Sequence, residues 1–450
     1  ETAGRYHSNW LNMMYPRLKL ARNLLSEDGV IFISIDDNEQ ANLKKLCDEV
    51  FGEDNFVGTF IWKKKGTSTN VAGAQLSSLT EYVLCVARDS TLLPLNSRVV
   101  SSSERDYPFE DAEGKYRTAG LEKKSTGDYN RESMKFEIIG HTPRPGKRWQ
   151  IGIDKARALE AKNRFIFDNG IVKLKIYDFE DGDSYSANPN LLLEVGSTQS
   201  GQAELDALMG GTLFDTPKPV SLLSHLLSIG TKQDSLVLDF FSGSATTAHA
   251  VMQLNAEDGG NRKWIMVQLP EETDEKSEAY KAGYKTIPEI SRERIRRAGD
   301  KIASEHPDAK VDYGFRALRI DDTNYKEVYK SAGDYQQSML DGLVDNVKED
   351  RSDLDLLYGV LTQSALELNR PIETVSLDGA TVYKYDYFGE VSGLVASFDA
   401  HISEEAIKQI ASLRPLTAVF REASFPDSQA KVNLAEHFRI LSPDTKIKVV

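Results

Sequence analysis

An α/β fold built on a doubly wound parallel sheet is predicted by three stretches of this 450-residue chain. Leu236-Val237-Leu238-Asp239 is an apolar run that enters the small-residue turn Phe240-Phe241-Ser242-Gly243-Ser244-Ala245, and a helix opens at Thr246. Strands buried on both faces read as such continuous runs, and sheets of this kind place their sites at the carboxyl ends of the strands. Val30-Ile31-Phe32-Ile33-Ser34-Ile35 is a second run, with Asp36, Asp37 and Asn38 at its carboxyl end. Trp264-Ile265-Met266-Val267-Gln268-Leu269-Pro270 is a third, following the first after one helix.

From the start of the chain, Trp10 to Ala21 reads as a helix with Pro16 in its first turn and with Leu18, Ala21, Leu24 and Leu25 on one face. Glu27-Asp28-Gly29 stops it, Asp36 and Asp37 suit turn chemistry after the next strand, and Asn38 is placed to cap a helix running to Phe51. Residues 56–65 and 79–87 read as the strands of a hairpin, and Gly66 to Ser78 between them is too polar to pack. From about 90 to 205 the pattern is irregular. Basic residues and aromatics interleave there: Tyr116, Arg117, Lys123, Lys124, Tyr129, Arg131 and the loop His141-Thr142-Pro143-Arg144-Pro145-Gly146-Lys147-Arg148-Trp149. Asp206 to Gly230 returns to the sheet, where Ser221 to Ile229 forms an amphipathic helix after Thr216-Pro217-Lys218-Pro219-Val220. Ile287 to Ala298 is a helix with four arginines; with Glu289 and Glu293 as partners it reads as a solvated face ahead of a stripe facing nucleic acid. Beyond about 310, an acidic helical stretch from Asp334 to Leu368 precedes a hairpin around Asp378-Gly379. Leu394 to Phe398, Ser403 to Leu413, Leu416 to Phe420, Val432 to Ile440 and Lys446 to Val450 then alternate as strand and helix, a small α/β module.

No run approaches the roughly 18 apolar residues of a membrane span, which leads us to expect a cytoplasmic protein without a membrane partner. The chain holds two cysteines, Cys47 and Cys85, neither near a histidine cluster, so packed small hydrophobes are expected and no metal. A net charge of −14 argues against a nucleic-acid partner, but its distribution argues for one. Lys115 to Tyr177 carries 15 basic against 7 acidic residues. Lys123, Lys124, Arg144, Lys147 and Arg148 are therefore candidate nucleic-acid contacts, and Trp149 a core anchor for their loop.

The order Pro-Lys-Pro segment, strand, Phe241-Ser242-Gly243-Ser244 turn, helix, strand resembles a beta-class amino-methyltransferase of DNA. The resemblance implies S-adenosylmethionine as cofactor, flanked by Lys218 and Pro219. It implies that Asp239 faces the methionine amino group and that Phe241, Gly243, Ser244 and Thr246 form the turn. Ala245 stands where the family has a second glycine, and Gln268 where an acidic residue usually holds the ribose hydroxyls; alanine suits the turn if its φ is negative, and glutamine still bonds a hydroxyl. The family's D/N/S-P-P-Y/F/W tetrapeptide, which binds the amine being methylated, does not occur, so no catalytic residue is assigned. The expectation is a chain lacking an upstream strand and inactive alone. Asp312-Tyr313-Gly314-Phe315-Arg316, Pro415 to Arg421, Ser424-Phe425 and Leu441 to Thr445, with Met13-Met14-Tyr15-Pro16-Arg17-Leu18 and Ile33 to Glu39, resemble the modification subunit of type III restriction-modification systems.

That resemblance implies a Rossmann-like methyltransferase sheet in two parts, 1–90 and 206–308, with a target-recognition domain at 91–205 and a C-terminal assembly module at 309–450. It also implies adenine-N6 methylation of double-stranded DNA, a homodimer, and assembly with an ATP-dependent helicase-nuclease subunit. Two other readings stay open. A noncatalytic DNA-binding and assembly module accounts for the missing tetrapeptide. A nicotinamide-dependent dehydrogenase accounts for the turn but lacks G-x-G-x-x-G and leaves the basic insertion without a purpose.

Overall fold

The computed structural model describes residues 6–67, 76–101, 105–127, 130–326 and 346–450. The expected loop's central residues 68–75, Tyr129, and the start of the acidic stretch at 334–345 lie outside the described residues. The chain divides into two units, Glu1–Tyr313 and Gly314–Val450. Among the described residues no helix is long and apolar enough to cross a membrane.

The first unit opens with α1 (Tyr6–Leu24). Pro16 lies inside this helix, not in its first turn; even counted from Trp10 it stands beyond one turn of about 3.6 residues. Arg17 donates to the Met13 carbonyl at 2.6 Å, within the turn that proline disturbs. Leu18 and Ala21 are buried with Leu25 packed beside them, but Leu24 is 70% exposed. At about 100° per residue, Leu25 falls about 20° from Leu18 around the axis, whereas Leu24 falls on another side. β1 (Val30–Ile35) follows, then α2 (Gln40–Phe51), which buries Leu43, Leu46, Cys47 and Phe51 against α1. Asn38 does not cap α2. Its backbone and side-chain amides both donate to Asp36, at 3.0 and 2.9 Å, which closes a turn instead.

β2 (Phe56–Lys63) and β3 (Thr80–Ala87) pair antiparallel, and β3 also pairs antiparallel with β1. The inserted segment is more regular than its sequence. β4 (Arg98–Val100), β5 (Phe109–Glu110), β6 (Lys115–Gly120), β7 (Glu122–Lys124), β8 (Lys147–Trp149), α3 (Ile153–Glu160), β9 (Phe165–Asp168), β10 (Ile171–Tyr177) and β11 (Ser184–Ser186) form it. Its main sheet runs β5-β6-β10-β9, over a core of Leu121, Ile138, Trp149, Ala156, Phe165 and Val172. Strands of two to seven residues with charged outer faces hide their period in the sequence, which is why an irregular pattern was expected. β12 (Leu191–Leu192) then adds to β2 in parallel, so the first sheet has the order β1-β3-β2-β12.

α4 (Thr198–Met209) crosses the expected boundary at 205/206 and is followed by α5 (Val220–Gly230), β13 (Leu236–Asp239), α6 (Thr246–Asp258), β14 (Lys263–Met266), α7 (Glu278–Lys281) and α8 (Ile287–Glu305). β13 and β14 pair in parallel. The strands thus fall into two ladders with α5 joining them: Leu222, Leu226 and Ile229 pack on β1, β2 and β3, while Leu223 and Leu227 pack with α6, Val237 and Trp264. Close contact is needed at the helix end, because a Cβ on Gly230 would stand 2.6 Å from Phe32.

The second unit holds α9 (Asp353–Gln363) and a sheet of β15 (Ile372–Leu377), β16 (Ala380–Tyr385), β17 (Leu394–Ser397), β18 (Thr417–Phe420) and β19 (Lys446–Val449), with α10 (Glu404–Ser412) and α11 (Ser428–Leu441). The Asp378-Gly379 hairpin forms with φ of 46° and 83°, the twist-matched turn that Asp-Gly favours. Ser403 and Asp427 cap α10 and α11 by accepting from Ala406 and Ala430 N–H.

Candidate functional site

The carboxyl end of β13 turns sharply into α6, and that turn is the centre of the candidate site. Gly243 and Ala245 both take positive φ, 50° and 62°. Ala245 therefore does not meet the condition set from its sequence. Its methyl is wholly buried and its N–H donates to Ser242 O at 2.7 Å, which holds a conformation costing about 1–2 kcal/mol in an L-residue. Asp239 is fixed at the strand end: Thr247 Oγ1 donates to Oδ2 at 2.6 Å and Phe241 N–H to Oδ1 at 3.1 Å. Phe241 is half exposed. Gln268, just beyond β14, accepts the Gly243 N–H at 2.8 Å through Oε1, so its carbonyl shapes the turn while its amide NH₂ remains a donor. Phe214 lies against Gly243, 3.3 Å from where a Cβ would be.

The structure brings Asp239, Phe241, Gly243, Ser244, Thr246 and Gln268 together at the carboxyl ends of the parallel pair. Lys218 and Pro219 sit at the start of α5, with Lys218 reaching the other ladder. Lys218 Nζ bonds Glu81 on β3 and lies 4.8 Å from the centre of the Trp62 ring, while Lys64 reaches the second Glu81 oxygen at 2.9 Å. Burial works to raise the Glu81 carboxyl, but the two lysines outweigh it and hold it below its usual value.

Three groups of residues escaped the sequence reading. Gly201 on α4 lets the Pro-Lys-Pro backbone lie directly on the helix, and its signal was an isolated glycine in a helical run. Gly196, at φ 78°, receives the Trp62 Nε1–H on its carbonyl at 2.9 Å and packs on Pro219. Ser291 and Arg294 on α8 bond the turn itself, Ser291 Oγ to Gly243 O, and Arg294 to Ser244 Oγ and Thr246 Oγ1. Arg294 is fully buried, so the four-arginine helix is not a uniform solvated face. Arg297 is likewise engaged, with the Leu208 and Met209 carbonyls that end α4.

In the inserted segment, β7 and β8 set Lys123 opposite Arg148 and Lys124 opposite Lys147. Like charges directly across a ladder repel, and an anionic partner would relieve them. Arg144 bonds Glu122 at 2.7 Å with half its surface exposed. Trp149 is wholly buried and donates to Phe136 O at 2.7 Å, the core anchor expected. Asp181 accepts from Arg105, Arg117 and Tyr107 and ties the sheet together. Burial pushes the Cys47 and Cys85 thiols up to about 12, as suits packed side chains.

A parallel strand, a tight turn with positive φ and a helix N-terminus, with a carboxylate at the strand end, form an arrangement suited to a nucleotide-type ligand. The family model described as DNA methylase matches residues 2–278, and the chain belongs to that family. It is 39% identical over 323 residues to the StyLTI Mod subunit of a type III restriction-modification enzyme from Salmonella typhimurium, covering 70% of this chain and 49% of that protein. It is 33% identical over 415 residues to the EcoPI Mod subunit from Escherichia phage P1, covering 84% and 62%. It is 31% identical over 326 residues to the type II methyltransferase M.KpnI of Klebsiella pneumoniae, covering 66% and 75%. The chain thus spans about half to three fifths of the two type III subunits.

Proposed function

We propose that this chain is part of a DNA methyltransferase that transfers methyl from S-adenosylmethionine to adenine N6, as modification subunit of a type III restriction-modification system. The observation that carries the reading is the β13 turn, where Phe241 N–H and Thr247 Oγ1 hold the Asp239 carboxylate and Gln268 holds Gly243, in a chain of the DNA methylase family. Its donor set suits a zwitterionic adenosine ligand. The Asp239 carboxylate receives an ammonium group, the Gln268 amide donates to a ribose hydroxyl, and half-exposed Phe241 offers an apolar face.

Bound there, the cofactor supplies an electrophilic methyl group. The work of the protein is then positioning and electrostatics, because an exocyclic amine conjugated with its ring is a poor nucleophile. The base must also leave the duplex, at about a few kcal/mol. Acceptors for the amine are not assigned within residues 1–450, where the tetrapeptide does not occur. The β7–β8 ribbon, with Lys123, Lys124, Lys147 and Arg148, and the neighbouring Arg144 meet the phosphates of double-stranded DNA. A second copy of the chain and a helicase-nuclease subunit are partners that rest on the likeness to type III Mod subunits, as does a cytoplasmic location.

The test is transfer of labelled methyl from S-adenosylmethionine to mixed-sequence DNA, by this chain and by a version extended upstream, with the product nucleoside identified by mass spectrometry. N6-methyladenine from the extended chain supports the reading. N4-methylcytosine overturns the choice of base. No transfer by either, with cofactor and DNA still bound, favours the noncatalytic assembly module.

A further inference from the structure

We infer that Arg294 and Ser291 on α8 are positioning residues for the cofactor turn, setting the affinity for S-adenosylmethionine without touching it. The inference rests on the reading of that turn as the cofactor site. Arg294 is 0% exposed, yet the hydrogen bonds it makes among the described residues go to hydroxyls, Ser244 Oγ at 2.6 Å and Thr246 Oγ1 at 2.7 Å. Its Nε has no partner among the described residues. Glu204 acts on it through space, while one oxygen of the Glu204 carboxylate accepts the Val220 N–H at 3.0 Å. A buried guanidinium held by neutral groups is costly, and one carboxylate or one apolar side chain would remove the cost.

What this arrangement gives is control of a strained segment. Between the two hydroxyls that Arg294 grips lies Ala245, and next to them Gly243, both at positive φ. Ser291 Oγ donates to Gly243 O at 2.5 Å, from the same face of α8. Three hydrogen bonds from one helix thus fix residues 243, 244 and 246. Gly243 and its neighbours keep the orientation in which the α6 N-terminus and the Asp239 end of β13 open on the same side. The Arg294 charge behind the α6 N-terminus also adds to the positive potential there, which suits the carboxylate of a methionine moiety. Released from α8, the turn relaxes toward ordinary φ values and binding must restore it, so the loss appears as affinity.

The experiment titrates S-adenosylmethionine and S-adenosylhomocysteine calorimetrically into the 450-residue chain and its S291A, R294Q and R294K variants. Melting temperatures without ligand and affinity for duplex DNA are measured alongside. Loss of hydrogen bonds to the turn is expected to weaken cofactor binding roughly tenfold in S291A and more in R294Q, with partial rescue in R294K and unchanged DNA affinity. In the upstream-extended enzyme the same variants raise KM for the cofactor and leave kcat near its original value. If R294Q does not fold, S291A carries the test, because it removes one hydroxyl and no charge. Folded S291A and R294K that bind both ligands within twofold of the original chain overturn the inference while leaving the cofactor site standing. An original chain that binds neither ligand overturns the inference and the cofactor site together.

Discussion

Gly201→Ala separates a glycine that serves a close approach from one that merely weakens a helix. Gly201 lies inside α4, where alanine is ordinarily favoured by about 1 kcal/mol. A Cβ there would stand 2.6 Å from Pro217 O and 2.8 Å from Pro219 N, distances at which something must shift. Both neighbours are backbone atoms of the Pro-Lys-Pro segment, which proline rings and the start of α5 keep from swinging aside. Overpacking costs about 1–3 kcal/mol, and with two backbone atoms inside 3.0 Å the upper half of that range applies, so after the propensity gain the net loss is about 1–2 kcal/mol. Gly359 in α9 is the control, since its Cβ would meet the movable end of the Asn324 side chain. Thermal or urea unfolding should place Gly201→Ala a few degrees below the original chain and Gly359→Ala at or near it. Cofactor affinity should also fall in Gly201→Ala, as the segment is pushed from Gly196 and α4. A Gly201→Ala chain as stable as the original, or more so, refutes the reasoning.

Asp181→Asn leaves Arg105 and Arg117 facing each other without the carboxylate they share, whose side chain is 8% exposed. Partial exposure of both arginines keeps the expected loss at about 2–3 kcal/mol, read as faster proteolysis of the inserted segment; a change under about 0.5 kcal/mol contradicts it. His249 is buried and pushed down to about 3 by burial and by the Arg294 and Lys301 charges, against an ordinary 6.5. The unfolded chain therefore takes up a proton first, and stability present above pH 6.5 is lost as pH falls toward 3; His249→Phe should flatten that slope. Lys123→Gln with Lys124→Gln should weaken DNA binding without regard to sequence. It should also reduce the slope of log affinity against log salt by about 1–2, and an unchanged slope removes the ribbon from the DNA face.

Much of the cofactor side was legible because its signals are local. An apolar strand, small turn residues and a helix start lie within twenty residues, and Asp378-Gly379 specifies its hairpin in two. What was missed depends on contacts distant in sequence. Arg294 meets Ser244 fifty positions away, and nothing in a run of arginines says which one is buried. A clue existed, since Ile290, Arg294 and Ala298 share one helical face with apolar residues at both ends. Ala245 looked compatible only with negative φ, and the buried frame around the turn overrides that preference. Pro16 was misplaced because proline's preference for a first turn was set above its distance from the helix start, and Leu24 because it neighbours Leu25, the residue that packs inward. The inserted sheet was invisible because short strands with one charged face show too few periods to count.

The most direct measurement is the ligand that stabilises the 450-residue chain. S-adenosylmethionine at about 100 times its dissociation constant should add roughly 2.7 kcal/mol and raise the melting temperature, with S-adenosylhomocysteine doing the same and NAD having no effect. Stabilisation by NAD, or by none of the three, would contradict the assignment of the β13 turn.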